Sequence, residues 1–232
     1  FYRAENGQPI GYFWGYKTAG IFQNTQEIDE WRAAGNGILQ SNVQPGDVRF
    51  VDRNHDGQIN DKDKVNLGNG TPDFTLGLNL GFVYKGFDFS IVANGAFGQQ
   101  IVQSYRNHTR PTPNYTTAIL DRWHGEGTSN RIPRVTDSNI NYQFSDLFIQ
   151  NGDYLRLSTL TLGYDFAKLF KGKAVSQARL YFQVQNLFTI TGYDGMDPEI
   201  GFGSSNNSWV SGLDYGYYPR PRTVLVGVNL KF

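Results

Sequence analysis

The sequence predicts an all-β fold: a transmembrane antiparallel β-barrel segment, about six C-terminal strands of a larger barrel with long extracellular loops. Three observations carry that prediction. Residues 74–97 read as a hairpin whose strands alternate apolar with small or polar residues. Residues 223–232 alternate in the same way and close on Phe232. The connections between strands are by turns very short and very long.

Taken in order, Ile10 to Lys17 (IGYFWGYK) is aromatic-rich and β-prone, and is the first expected strand. Phe74 to Tyr84 places Phe74, Leu76, Leu78, Leu80, Phe82 and Tyr84 on one face, opposite Thr75, Gly77, Asn79 and Gly81. A two-residue turn at Lys85-Gly86 leads to Phe87, Phe89, Ile91, Ala93, Gly95 and Phe97, which continue the apolar face. Such a strand, at about 3.3 Å per residue and tilted about 45°, spans roughly 25 Å, the height of an outer-membrane barrel's apolar band. Tyr84 and Phe87 stand where an interfacial aromatic girdle belongs.

The fourth strand, Asp153 to Phe166, has Leu160, Leu162, Tyr164 and Phe166 on one face, whereas Leu155 and Leu157 fall on the other. A bulge, or a section above the membrane, explains the switch. Residues 178–190 form the fifth, with Ala178, Leu180, Phe182 and Val184 opposite Arg179, Tyr181, Gln183 and Gln185. In the sixth, Val224, Val226, Val228, Leu230 and Phe232 share a face. The long connections are 18–73, 99–152 and 191–220; the short ones are 85–86 and 167–177. With Phe232 at the periplasmic end, every short turn is periplasmic and every long loop external. Two short helices are expected in the loops, one capped by Thr25 and stopped by Gly35, the other from Thr116 to Trp123 or His124.

Lysine plus arginine equals aspartate plus glutamate at 21 each, so no global field favours nucleic acid. Cysteine is absent, which excludes disulfides, a thiol nucleophile and thiolate-bound zinc. No apolar run approaches the roughly 18 residues of a membrane helix. An exported chain would need a leader, so residue 1 is not expected to begin the gene product. His55, His108 and His124 lack zincin spacing, Gly201-Phe202-Gly203 lacks a strand-to-helix setting, and Asp194 with Asp197 suits loop solvation. No enzyme activity is expected.

The sharpest local motif is residues 52–63 (DRNHDGQINDKD). Oxygen ligands fall at Asp52, Asn54 and Asp56, the turn glycine at Gly57, a carbonyl at Gln58, and further oxygens at Asn60 and Asp63. Calcium needs six or more hard oxygens, and this spacing supplies them, although Asp63 is shorter than the usual Glu. The alternative is a run of Asx turns that satisfies its own backbone. Loop aromatics Tyr115, Trp123, Trp209 and Tyr217 are the candidate substrate contacts, because flat rings stack on sugars or hold peptide side chains.

Several motifs together resemble the C-terminal part of SusC/RagA-type TonB-dependent outer-membrane transporters. They are Gly20-Ile21-Phe22-Gln23, Pro45-Gly46-Asp47-Val48-Arg49-Phe50, Asn69-Gly70-Thr71-Pro72-Asp73-Phe74, Leu120-Asp121-Arg122-Trp123 and Asp153-Tyr154-Leu155-Arg156-Leu157. Gln185-Asn186-Leu187-Phe188-Thr189, Met196-Asp197-Pro198-Glu199 and Tyr218-Pro219-Arg220-Pro221-Arg222 complete the series. The resemblance implies a plugged barrel of about 22 strands in the outer membrane of a Gram-negative bacterium, capped by a SusD-like surface lipoprotein. It implies import of oligosaccharides or peptides driven by TonB. The chain lacks a plug and a TonB-box, so those, with the remainder of the barrel, are expected from preceding sequence or another chain. Residues 1–232 are then one barrel portion. The competing expectations are a soluble calcium-binding adhesin-like or dockerin-like β domain, and a passive porin.

Overall fold

The computed structural model describes residues 2–39, 41–104, 116–137, 139–167, 175–200 and 211–232. The chain divides into two compact units. One comprises Thr71–Gln100, Asn151–Gly201 and Tyr217–Phe232; the other comprises Phe1–Gly70, Ile101–Gln150 and Phe202–Gly216.

The first unit is a five-stranded antiparallel sheet. Its strands are β1 (Phe74–Tyr84), β2 (Phe87–Phe97), β3 (Tyr154–Asp165), β4 (Gln177–Thr191) and β5 (Thr223–Lys231), in the order β5-β4-β3-β2-β1. The register aligns like with like. Phe82, Phe89, Leu162, Phe182 and Val226 form one continuous cross-strand row, and Tyr84, Phe87, Tyr164, Leu180 and Val228 form another. The first row is exposed in every strand, from 36% at Phe89 to 71% at Val226, so no protein core covers it. The opposite face carries the rows Val83, Asp88, Gly163, Tyr181, Gly227 and Gly81, Ser90, Thr161, Gln183, Leu225. One face is apolar and bare, the other mostly small or polar with Val83, Tyr181 and Leu225 as exceptions, as a wall between lipid and a wet lumen requires.

The switch of face in β3 is a bulge. The register slips between Leu157 and Thr159 against both neighbours: Ser158 is the extra residue against β2, whereas against β4 it alone stands opposite Asn186 and Leu187. Opposite it, Asn186 takes a left-handed φ of 52°. The insertion restores phase, so Leu155 and Leu157 join Leu160, Leu162 and Tyr164 on the lipid face, and Arg156 faces inward. β1 and β5 are the edges of the sheet. Hydrocarbon cannot satisfy an open edge, so closure needs further strands. No helix among the described residues is long and apolar enough to cross a membrane.

In the second unit the expected first strand takes a different place. Only Tyr12–Gly15 is strand, and it pairs with Tyr2–Arg3 and Val65–Asn66 in a three-stranded sheet separate from the wall. Tyr12 and Phe13 are both fully buried although they point to opposite faces, so this run of rings is a doubly covered strand with no lipid side. The long sheet therefore takes five of the six expected strands.

Helix α1 (Thr25–Ala33) starts one residue earlier than expected, because the Asn24 side chain accepts from the Glu27 N–H. The Ala34 and Gly35 amides close its end, with Gly35 at φ 78°. Ile28 docks against Phe22, Val48, Phe50, Ile59 and Ile140 in the main core of this unit. The second expected helix is only a short 3-10 turn, Thr117–Asp121, because the Trp123 amide bonds to the Ile132 carbonyl and draws the chain out of helical geometry.

Candidate functional site

On the inner face of the wall, Asp88 of β2 and Arg179 of β4 reach across the intervening β3. The guanidinium bonds both carboxylate oxygens, Nε at 2.7 Å and Nη2 at 2.5 Å. The strand between them carries Gly163, where an added Cβ would lie 2.7 Å from Arg179 Nε and closer still to Asp88 Oδ1. Arg179 also stacks at 4.9 Å from the Tyr181 ring centroid, and that ring lies over Gly227. Two glycines thus let a charged pair and a phenol lie flat against the wall. Gly163→Val is expected to lose about 1–3 kcal/mol through overpacking and to split the ion pair. Urea titration of the folded barrel checks this, and unchanged stability would refute the close packing.

The 52–63 loop follows the short strand Val48–Phe50, whose Val48 and Phe50 anchor it in the core. Asp52 and Asp63 are fully buried. Asp52 Oδ2 accepts from the Gly57 amide at 2.9 Å and the Gly37 amide at 3.0 Å. Asp63 ties the two ends together, Oδ1 accepting from Arg53 N at 2.9 Å and Oδ2 from Asn60 N at 2.8 Å. Asn54, Asp56 and Asn60 each accept from the amide two residues on. The Asx-turn frame is therefore present, with Gly57 left-handed at φ 79°.

One oxygen has no place in that frame: Asp52 Oδ1 is buried without a hydrogen-bond partner. A buried carboxylate oxygen at the first ligand position suits a cation. Among the described residues, however, no three carboxylate or imidazole side chains converge as a metal-holding group. The Asp56 carboxyl is held below its usual range, chiefly by the Asn54 amide, and Asp61 likewise by Lys64.

The candidate aromatics are not brought together as a set. The indole N–H of Trp123 donates to Gln23 Oε1 at 3.2 Å, and its ring covers Gly46, so it braces the loop. Tyr217 is partly exposed, beside the more exposed Tyr215 and Tyr218. Tyr115 and Trp209 lie outside the described residues.

Sequence reading passed over a second buried charge. Asp47 accepts from Arg134 at Nε (2.7 Å) and Nη2 (3.2 Å), from Asn141 Nδ2 at 3.1 Å and from the Gln44 amide at 2.9 Å. Asn141 in turn accepts from the Val48 amide at 2.9 Å. Only the Pro45-Gly46-Asp47 turn is legible in sequence; the side-chain partners Arg134 and Asn141 lie 87 and 94 residues away.

No family model matches the chain. It is 34% identical over 237 residues to TonB-dependent receptor P3 of Formosa agariphila, covering 97% of this chain and 22% of that relative. It is 31% identical over 197 residues to TonB-dependent receptor SusC of Bacteroides thetaiotaomicron, covering 84% of this chain and 18% of the relative. The chain thus spans about a fifth of the length of these curated relatives. A solved structure of the RagAB peptide transporter superposes with a TM-score of 0.68 at 20% identity, over 100% of this chain and 24% of that one.

Proposed function

We infer that this chain, a segment of the SusC/RagA type of TonB-dependent outer-membrane receptor, is barrel wall of an active importer of oligosaccharides or peptides. The observation that carries this reading is the two-faced five-stranded sheet, bare and apolar outward, small and polar inward. A soluble adhesin would hide the Phe82–Val226 row in its own core. The open edges favour a larger closed barrel completed by other strands. In this reading the chain's own side chains perform no covalent chemistry; they separate lipid from solute, and TonB acts through parts outside these residues. A SusD-like surface lipoprotein is the proposed cap, supported by the likeness to SusC and to the RagAB transporter.

The test uses the full-length receptor with single cysteines. Leu162→Cys should react with a lipid-soluble thiol reagent and resist a membrane-impermeant one, and Thr161→Cys should do the reverse. Equal labelling of both by the impermeant reagent would overturn the wall.

The 52–63 loop is proposed to bind calcium through Asp52, Asn54, Asp56, the Gln58 carbonyl, Asn60 and Asp63, as a stiffener of a long loop. Its support is the ligand spacing together with the orphaned Asp52 Oδ1. The ion would supply no chemistry beyond crosslinking loop oxygens. Calcium is expected to slow hydrogen exchange across 52–63 at least tenfold in the full-length receptor, and Asp52→Asn is expected to abolish the effect. Exchange indifferent to calcium would sink the proposal.

The depressed Asp56 carboxyl sets the pH sign: its contribution holds above the ordinary carboxylate range and fades as pH falls through its lowered folded value.

A further inference from the structure

Three motifs separated in sequence meet at one buried cluster in the wall unit. Arg156 comes from Asp153-Tyr154-Leu155-Arg156-Leu157, Asp197 and Glu199 from Met196-Asp197-Pro198-Glu199, and Arg220 from Tyr218-Pro219-Arg220-Pro221-Arg222. Arg156 Nη2 bonds Asp197 Oδ1 at 2.5 Å, Nη1 bonds Glu199 Oε2 at 2.8 Å, and Nε donates to Thr189 Oγ1 at 3.0 Å. The side chains of Arg156 and Asp197 are 4% and 6% exposed. Arg220 completes the set, Nη2 lying 3.1 Å from Glu199 Oε1 and its amide donating to Asp197 Oδ2 at 3.3 Å.

Two cations face two anions, and all four carboxylate oxygens are engaged. The cluster is complete without a ligand, so its role is to hold chain in place. Where it holds that chain follows from the bulge. Because Ser158 restores phase, Arg156 points inward, opposite Asn94 of β2 and Thr189 of β4. Arg156 also lies two residues inside the outer end of β3, so the chain it grips is drawn below the rim of the wall, against the lumen face.

We propose that Arg156 is a positioning residue that straps residues 197–200 and Arg220 inward across the mouth of the barrel, where they line the solute path. The solute path rests on the importer reading; the strap itself does not. Arg220, with its side chain 58% exposed, is the cluster member that meets solute. A lysine could restore the charge at 156 but not the fork that grips two carboxylates and a hydroxyl at once.

The experiment compares the full-length receptor with its Arg156→Met, Arg156→Lys and Asp197→Asn variants by hydrogen exchange in detergent and by TonB-dependent uptake in cells. In all three variants, the amides of Asp197, Glu199 and Ile200 are expected to exchange at least tenfold faster while those of β3 and β4 keep their protection, and uptake should change in KM or rate. Asp197→Asn leaves the wall strands untouched and serves if Arg156→Met fails to fold. Unchanged exchange at 197–200, full rescue by lysine, or an equal rise throughout β3 and β4 would overturn the strap. Faster strap exchange with uptake unaltered would overturn its place in the solute path. A wild-type receptor that imports nothing would instead count against the importer reading, with the exchange data still deciding the strap.

Discussion

Phe182→Arg is expected to destabilise the folded barrel by about 1–2 kcal/mol, between the roughly 2–4 kcal/mol of a cation at the bilayer midplane and the near-zero cost at the interface. Phe182 belongs to the Phe82–Phe89–Leu162–Phe182–Val226 row, one lipid-facing position in from the Tyr84–Phe87–Tyr164 girdle, so the guanidinium would be surrounded by rings and branched aliphatics with no carboxylate on that face. Its neighbour Gln183 provides the control. It points inward, into the row of Gly81, Ser90, Thr161 and Leu225, where water can reach a cation. Gln183→Arg is therefore expected to change stability by less than about 0.5 kcal/mol, as surface substitutions do. Urea titration of the full-length receptor in lipid, read by heat-modifiable gel mobility, separates the two. Equal costs would mean the sheet has no lipid side.

Asp47→Ala is expected to cost about 3 kcal/mol, the lower end of the range for removing one partner of a buried ion pair. The lower end applies because Arg134 keeps 23% of its side-chain exposure and can recruit water, whereas Asp47 has 1%. Asn141 loses one of its two acceptors in the same step and keeps only the longer bond to the Arg134 carbonyl, which loosens the orientation that lets Oδ1 receive the Val48 amide. Val48 begins the strand that delivers the 52–63 loop, so the damage should spread there. Amide exchange at Gln44 and Val48 should accelerate by about two orders of magnitude, as tenfold corresponds to about 1.4 kcal/mol. Asp47→Asn should cost less, because it still accepts two hydrogen bonds. Exchange confined to wild-type rates would show that Arg134 and Asn141 hold the turn without Asp47.

The wall was legible because strand alternation is a local signal: β1 and β2 run over the residues their pattern marks, Phe74–Tyr84 and Phe87–Phe97. The Ile10–Lys17 segment misled because rings on both faces satisfy a buried strand as well as a membrane one, and pattern alone does not separate them. The bulge at Ser158 was visible only as a lapse of parity at Leu155 and Leu157, although that lapse marked its location. Pairings across strands stayed hidden. Asp88 and Arg179 could be assigned to the inner face, but that they share one ion pair over Gly163 depends on register. Arg156, Asp197, Glu199 and Arg220 each sat in a noticed motif, yet nothing local says that they meet. The calcium spacing was plain in sequence, while the unpartnered oxygen of Asp52 emerged only from the fold.

The extra residue at Ser158 has an evolutionary corollary. It divides β3 into two tiers indexed separately, a lower one and an upper one counted afresh from the bulge, each keeping its apolar residues on the lipid side. Changes of residue type in the upper tier can then alter what an arriving solute encounters without re-assigning which side chains meet acyl chains below.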